Sequence, residues 1–264
     1  MSLTPGQVSA LRELEEVWPN RTTVIIGATA LGFYCDMTWR KTADVDLVVA
    51  VEIDEFPGEL VERPGWTQHP HLEHRFESPQ GVELDILPAG DELLKKGTID
   101  WASGHTMNLV GIDLAFDHAE AHEVESFMAK VAPPEVVTVL KMIAYLDRPQ
   151  QRLRDLEDIA HLLDFYIDDE STRFWDEAME YGEYDLAPAY LLGLDISRIV
   201  AGSHLELVEE FISRVDDTDS IDHAQMLRRG PRRWSTEDQP LHRRLHTLRA
   251  GLTQSTKQSG ESDT

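Results

Sequence analysis

The sequence predicts an α+β fold, with strands and short helices in its first half and helices alone in its second. Three observations carry that expectation. Thr23-Val24-Ile25-Ile26 followed by Gly27-Ala28-Thr29-Ala30-Leu31 reads as a strand, a tight turn and a helix start. Thr42–Val49 and Val82–Leu87 alternate apolar and polar residues with the period of two of a half-buried strand. From Pro134 onward, apolar residues instead recur at helical spacing almost to the end.

Taken in order, Gln7–Val17 is expected to be the first helix, because Val8, Leu11, Leu14 and Val17 share one face. A strand over Thr22–Ile26 follows. Gly27 supplies backbone freedom at the turn, and Ala28–Met37 reads as a short apolar helix. Glu52–Gln68 holds a short helix among turns at Pro57-Gly58 and Pro64-Gly65. His71–Glu77 reads as a strand that Pro79-Gln80-Gly81 turns into Val82–Leu87 as a hairpin. Asp91–Lys96 reads as a helical turn, Asn108–Glu125 as one or two strands, and Phe127–Ala132 as another. Pro133-Pro134 end that strand and open a helix, since proline is tolerated in a first turn.

In that helix Val136, Val139, Leu140, Ile143 and Leu146 form the apolar stripe, with Lys141 at its border. After Asp147-Arg148-Pro149, a second helix over Arg152–Leu163 turns Leu156, Ile159, Leu162 and Leu163 inward. By pattern alone the pair is an amphipathic hairpin whose charges, Asp155 and Asp158 included, are solvated. Phe174, Trp175 and Met179 read as core, and Leu191–Val200 and Leu205–Ile212 as further helices. The expected division is residues 1–132 as an α/β core, 133–252 as a helical domain, and a disordered tail over 253–264.

Charge narrows the function classes. With 24 Lys and Arg against 49 Asp and Glu, the formal net charge is -25. A surface that acidic disfavours sequence-independent binding to nucleic acid or anionic membrane over the whole protein. The single cysteine, Cys35, excludes an intramolecular disulfide framework and a cysteine-rich zinc site. No stretch approaches the ~18 consecutive apolar residues of a membrane span, and Met1–Gly6 lacks a signal-peptide pattern. A soluble, cytoplasmic protein with no membrane partner is expected. Against the general acidity, Arg228, Arg229, Arg232, Arg233, Arg243, Arg244 and Arg249 cluster with only Glu237 and Asp238 among them. They form either an RNA or phosphate contact surface or the counter-charge to an acidic face of the same protein.

The chemistry concentrates on the acidic strand. Asp44 and Asp46 stand at i and i+2, point the same way, and repel each other unless a cation lies between them. Mg²⁺ takes oxygen ligands and is commonly held by one or two carboxylates together with substrate phosphates. Glu83 and Asp85 share one face of a later strand. Arg40 and Lys41 either balance the aspartates or clamp a polyphosphate whose metal sits on them. His69, His71 and His74 fit no closed zinc motif and read as a polar strand face.

Gly27-Ala28-x-Ala30-Leu31, Arg40-x-Thr42-x-Asp44-Val45-Asp46-Leu47 and Asp85 together resemble the polymerase-β-like nucleotidyltransferase superfamily. Lys141 followed by Arg154-Asp155-Leu156-Glu157-Asp158-Ile159 is similar to the AbiEii-type nucleotidyltransferases, toxins of bacterial toxin–antitoxin and abortive-infection systems. The resemblance covers about Thr22 to Leu163. It implies a mixed sheet with flanking helices, a helical C-terminal domain, and an active site between the two. It also implies NTP as substrate and Mg²⁺ (or Mn²⁺) as cofactor, with a cognate antitoxin protein as partner. Asp44, Asp46 and Asp85 would be catalytic and hold the metals. Gly27, Ala28, Arg40 and Thr42 would bind the nucleotide, Lys141 would contact its phosphates, and Asp155 would complete the last motif. Asp158 would stabilise its helix. Many members carry Gly-Gly or Gly-Ser where this chain has Gly27-Ala28, which leaves backbone N–H groups for the phosphate.

The expected reaction is transfer of NMP from NTP to an acceptor hydroxyl. The 3′ end of tRNA or another RNA is the leading acceptor, through the arginine-rich segment. A protein hydroxyl or a small molecule such as an aminoglycoside is the alternative, and a non-catalytic nucleotide-binding module is a third reading.

Overall fold

Residues 3–37, 39–40, 42–125, 127–178 and 183–258 are described by the structure, a computed structural model. The chain divides into two units, residues 1–137 and 138–264. The boundary falls inside a helix, a few residues beyond the Pro133-Pro134 break that the sequence suggests.

In the first unit, α1 (Pro5–Val17) is started by a capping box. Thr4 Oγ1 accepts from the Gln7 amide at 3.2 Å, and Gln7 Oε1 accepts from the Thr4 amide at 2.9 Å. The chain continues through β1 (Thr23–Ile26), α2 (Gly27–Leu31), β2 (Val45–Val49), β3 (Thr67–His69), β4 (Leu72–Glu77) and β5 (Glu83–Pro88). Then come α3 (Asp91–Lys96), β6 (Thr98–Asp100), β7 (Thr106–Asn108), α4 (Ile112–His118), β8 (Glu120–Val124) and β9 (Phe127–Val131). Seven strands form one sheet in the order β3-β4-β5-β2-β1-β9-β8, while β6 and β7 pair separately. The sheet is mixed: β2 runs parallel to β5 and β1 to β9, and the other neighbours are antiparallel. The fold class is α+β, as the sequence pattern requires.

Three differences from the sequence reading have local causes. The helix after Gly27 ends at Leu31, because Gly32 caps it and turns lead away through Cys35. The acidic strand begins at Val45, so Asp44 lies at the bend before it. Its residues Leu47, Val48 and Val49 are buried in succession, since a central strand is covered on both faces. Residues 108–125 contain α4 before β8, where Gly111 at φ 87° opens the helix and Ile112, Leu114 and Ala115 are buried.

The second unit is helical. After α5 (Pro134–Asp147) come α6 (Leu153–Phe165), α7 (Ala187–Ile199), α8 (Gly202–Asp216), α9 (Ile221–Arg229) and α10 (Pro240–Gln258). Phe174 is buried as expected, whereas Trp175 is half exposed. Met179 and residues 259–264 lie outside the described residues, and helix α10 carries the chain past Leu252, where disorder is expected, to Gln258.

Helices α7 and α10 approach until backbone meets backbone. A Cβ on Gly193 would lie 2.1 Å from the Leu248 carbonyl oxygen, and one on Gly251 2.2 Å from that of Tyr190. Only hydrogen fits at either position. Gly193→Ala is therefore expected to lower the unfolding free energy by about 1–3 kcal/mol through overpacking. Urea denaturation checks this, and an unchanged midpoint would show that the helices can part freely.

Candidate active site

Strand register builds the site. Ile26 on β1 pairs with Asp46 on β2, Asp46 with Asp85 on β5, and Asp85 with Arg75 on β4. One row across four strands therefore carries Asp46, Asp85 and Arg75 side by side. Gly27 follows Ile26 with φ 67°, and a Cβ there would lie 2.1 Å from Asp46 Oδ2. A side chain is excluded both by the left-handed backbone and by the carboxylate. The glycine that the sequence marks as a turn is thus also the wall against which Asp46 rests.

The segment leading into β2 is anchored from two helices and from itself. Thr29 Oγ1 in α2 donates to the Asp44 carbonyl at 2.7 Å, and Gln7 Nε2 in α1 donates to the Ala43 carbonyl at 3.3 Å. Thr42 Oγ1 donates to Asp44 Oδ1 at 3.0 Å. Asp44 and Asp46 are both half-buried. Their oxygen donors, and the missing Cβ at Gly27, fit a hard divalent cation held by two carboxylates. Ala28 is buried behind the turn, Arg40 is half-buried in the preceding loop, and Lys41 lies outside the described residues.

Asp85 is engaged differently. Arg75 donates to it through Nε to Oδ1 and through Nη2 to Oδ2, both at 2.7 Å, and Arg75 Nη1 lies 3.0 Å from Glu83 Oε1. The hydrogen bonds to Asp85, then the charges of Asp85, Glu83 and Asp44, hold the guanidinium above its ordinary pKa against the opposing effect of burial. No group of three or more His, Cys, Asp or Glu among the described residues is arranged to hold a metal ion. The trio of Asp44, Asp46 and Asp85 is brought onto one face but not onto one metal position. Arg75 and Thr29 escape a reading by motif. The turn at Pro79-Gln80-Gly81 holds the signal for Arg75, since a hairpin about it sets residue 75 opposite residue 85.

In the second unit the solvated-charge reading of α5 and α6 is corrected. Lys141 is buried, its Nζ 2.7 Å from Asp155 Oδ1 and 2.9 Å from Asp158 Oδ2. Burial disfavours the ammonium, but the two aspartates outweigh it and raise the Lys141 pKa. The spacing of Asp155 and Asp158 along α6 presents both carboxylates to the same cation on α5.

The arginine-rich segment turns largely inward. Arg244 is fully buried, donating through Nε to Asp164, through Nη1 to Glu237 at 2.6 Å and to the Pro240 carbonyl at 3.0 Å. Asp164 also accepts from Arg233 Nε at 2.6 Å and from Trp234 Nε1 at 2.9 Å. Arg243 pairs with Glu183, Arg249 with Glu209, and Arg229 with the Gln225 side chain. Arg228 and Arg232 are exposed. Most of the cluster is thus counter-charge to acids of its own unit.

Two outcomes follow from this geometry. Gly27→Ala is expected to lose about 1–2 kcal/mol to backbone strain alone, and it must also displace the Asp46 carboxylate; denaturation beside a refolding control measures it. Lys141→Ala leaves two carboxylates without their cation and should lower stability by about 3–5 kcal/mol, and Lys141→Met with Asp158→Asn should recover part of that. Because the Lys141 pKa is raised on folding, its contribution is fully present below about pH 10 and is lost as pH rises further. The gap between wild type and Lys141→Ala should therefore stay constant from pH 7 to about pH 10 and narrow only above it in urea titrations.

Residues 10–238 match the protein family described as Nucleotidyl transferase AbiEii toxin, Type IV TA system. Similar solved structures include an antigenic nucleotidyltransferase-like protein from Paracoccidioides brasiliensis, at 18% identity over 59% of this chain and 74% of that one, with a TM-score of 0.38. JHP933 from Helicobacter pylori matches at 14% identity over 100% of both chains, with a TM-score of 0.39. A CCA-adding enzyme in complex with ATP matches at 17% identity over 86% of this chain and 51% of that one, with a TM-score of 0.34. No curated protein matches. No helix among the described residues is long and apolar enough to cross a membrane. With the acid pair, the Gly27 turn and the Lys141–Asp155 pair all inside the matched span, the chain belongs to the AbiEii nucleotidyl transferase toxin family.

Proposed function

We propose that this protein transfers a nucleoside monophosphate from an NTP to an acceptor hydroxyl, in a Mg²⁺-dependent reaction centred on Asp44 and Asp46, and that it acts as the toxin of a toxin–antitoxin pair. The observation that carries the proposal is the close approach of Gly27 to Asp46, beside the anchored bend at Asp44. It seats the Asp46 carboxylate directly against the strand-to-helix turn, whose backbone carries no side chain at that point. Divalent metal, when bound, supplies Lewis-acid stabilisation of charge on the phosphate oxygens.

The rest is positioning. Asp44 and Asp46 hold the cationic centre at the end of β2. Backbone N–H groups at Gly27 and Ala28, with Arg40 and Thr42, face the nucleotide's phosphates. Lys141, fixed between Asp155 and Asp158, is held in one orientation within the second unit. The acceptor oxygen forms a bond to the α-phosphorus, the bond from that phosphorus to the β-phosphate oxygen breaks, and pyrophosphate leaves with the electron pair. The acceptor's proton passes to solvent or to a carboxylate of the cluster.

For the acceptor, we infer an RNA 3′ hydroxyl, approached through the exposed Arg228 and Arg232. A protein or small-molecule hydroxyl is the second reading, favoured by the engagement of Arg233, Arg243, Arg244 and Arg249 with acids of the protein itself.

Label transfer separates these. Wild type and Asp46→Ala are incubated with each α-³²P-labelled NTP, Mg²⁺ and total cell extract, and the products are split into RNA, protein and small-molecule fractions. Asp46→Ala should remain folded and transfer nothing. Label in RNA from the wild type alone supports the RNA reading, and label in protein or small molecules replaces the acceptor. Wild-type turnover by Asp46→Ala in a clean preparation would remove the mechanism.

A further inference from the structure

We propose that Arg75 is a triphosphate-binding residue of the transfer site, and that Asp85 serves it as a positioning residue instead of ligating metal. The inference rests on the metal-and-nucleotide reading of Asp44 and Asp46 above.

Both carboxylate oxygens of Asp85 are engaged. Its two carboxylate oxygens each accept a 2.7 Å bond from one guanidinium in the fork geometry that makes arginine–carboxylate pairs strong. To chelate a metal with those oxygens, the carboxylate would have to release one bond or both. Asp44 carries no such fork; its Oδ1 meets the Thr42 hydroxyl at 3.0 Å. The described residues also bring no third acid onto a metal position. Asp85 already has its cation.

Arg75 has more donors than these contacts use. A guanidinium carries five N–H groups in a rigid plane and keeps its charge at any working pH. Nε and one N–H of Nη2 are directed at Asp85, and Nη1 faces Glu83 at 3.0 Å. One further N–H on each terminal nitrogen has no acceptor among the described residues. The Arg75 side chain keeps 28% of its exposure, so it is reached by solvent. Spare N–H groups on an immobilised guanidinium are suited to phosphate oxygens.

Arg75 sits two strands from Asp46, on the same row of the sheet, which is roughly 10 Å at the usual strand spacing. Asp85 lies between them. A nucleotide whose α-phosphate is drawn to Asp44 and Asp46 can extend its further phosphates along this row. A plain charge-balancing role for Arg75 would make the same ion pairs, so the test must separate nucleotides by phosphate number.

Full-length wild type, Asp46→Asn, Asp85→Asn, Arg75→Gln and Arg75→Lys are compared, with circular dichroism to confirm folding. Mn²⁺ binding is followed by the electron paramagnetic resonance of the free ion. Binding of ATP, GTP, CTP, UTP and their monophosphates is followed by calorimetry, with Mn²⁺ and again in EDTA. Asp46→Asn should lose Mn²⁺, while Asp85→Asn and Arg75→Gln should hold it within about threefold of wild type. Loss of two charge-assisted hydrogen bonds should weaken triphosphate binding to Arg75→Gln about a hundredfold or more, with monophosphates nearly unaffected. Arg75→Lys keeps the charge without the fork and should fall between; it also decides the matter if Arg75→Gln does not fold.

Equal loss of tri- and monophosphate binding, or no loss, would overturn the role of Arg75. Mn²⁺ affinity lost in Asp85→Asn as fully as in Asp46→Asn would return Asp85 to the metal. Mn²⁺ binding that survives Asp46→Asn would instead overturn the metal reading itself, and the EDTA titrations would then decide Arg75 separately.

Discussion

Like charge crowded onto one face of a sheet is the constraint on which the first unit depends. Asp46 and Asp85 are register partners on neighbouring strands, with Asp44 two residues before one and Glu83 two before the other. Two carboxylates a strand spacing apart repel by roughly 3 kcal/mol at an effective dielectric of 20, a sizeable part of a domain's stability. Arg75 relieves the half of the cluster nearer β4, through a fork to Asp85 and contact with Glu83. The half nearer β1 faces Gly27, whose lack of a side chain keeps the wall beside Asp46 bare. Protein supplies the cation on the β4 side, and on the β1 side a turn without a side chain fixes the place of the carboxylate.

The second unit meets the same problem inside a helical core. Lys141 lies between Asp155 and Asp158, and Asp164 gathers Arg233, Trp234 and Arg244. Buried pairs of this kind add little net stability over apolar packing, yet each member becomes indispensable once its partner is present. They also fix orientation. A lysine held by two carboxylates has far fewer places to point than one on a solvated face. The same logic explains the arginine-rich segment. In a chain of net charge -25, arginines near buried acids are drawn to them first, and Arg244 ends with its guanidinium over the Trp234 ring at 5.0 Å and no exposure.

Close backbone approach is the other means by which the fold places its parts. Gly27 against Asp46 and Gly193 against Leu248 both depend on an absent Cβ. At Gly27 the absence lets a turn touch a carboxylate, and at Gly193 it lets two helices share a seam. The first is legible beforehand as a glycine between a strand and a helix. The second lies in an ordinary amphipathic stretch, where nothing local distinguishes a packing glycine from a tolerated one.

The sequence by itself determined whatever depends on neighbours along the chain. The strand of Leu47, Val48 and Val49, the acids Asp44 and Asp46 at its leading end, the hairpin at Pro79-Gln80-Gly81 and the stripe of α5 all follow from local periodicity and turn chemistry. Only the tertiary structure decided which charge meets which. Arg75 finds Asp85 because β4 and β5 share a register, Lys141 finds Asp155 and Asp158 because α5 and α6 pack with those faces inward, and Arg244 finds Asp164 across eighty residues of chain. Periodicity says which side of an element faces inward. The partner waiting there is set by topology and register, and an acid's role, as metal ligand, as anchor for an arginine or as buried counter-ion, follows from that partner.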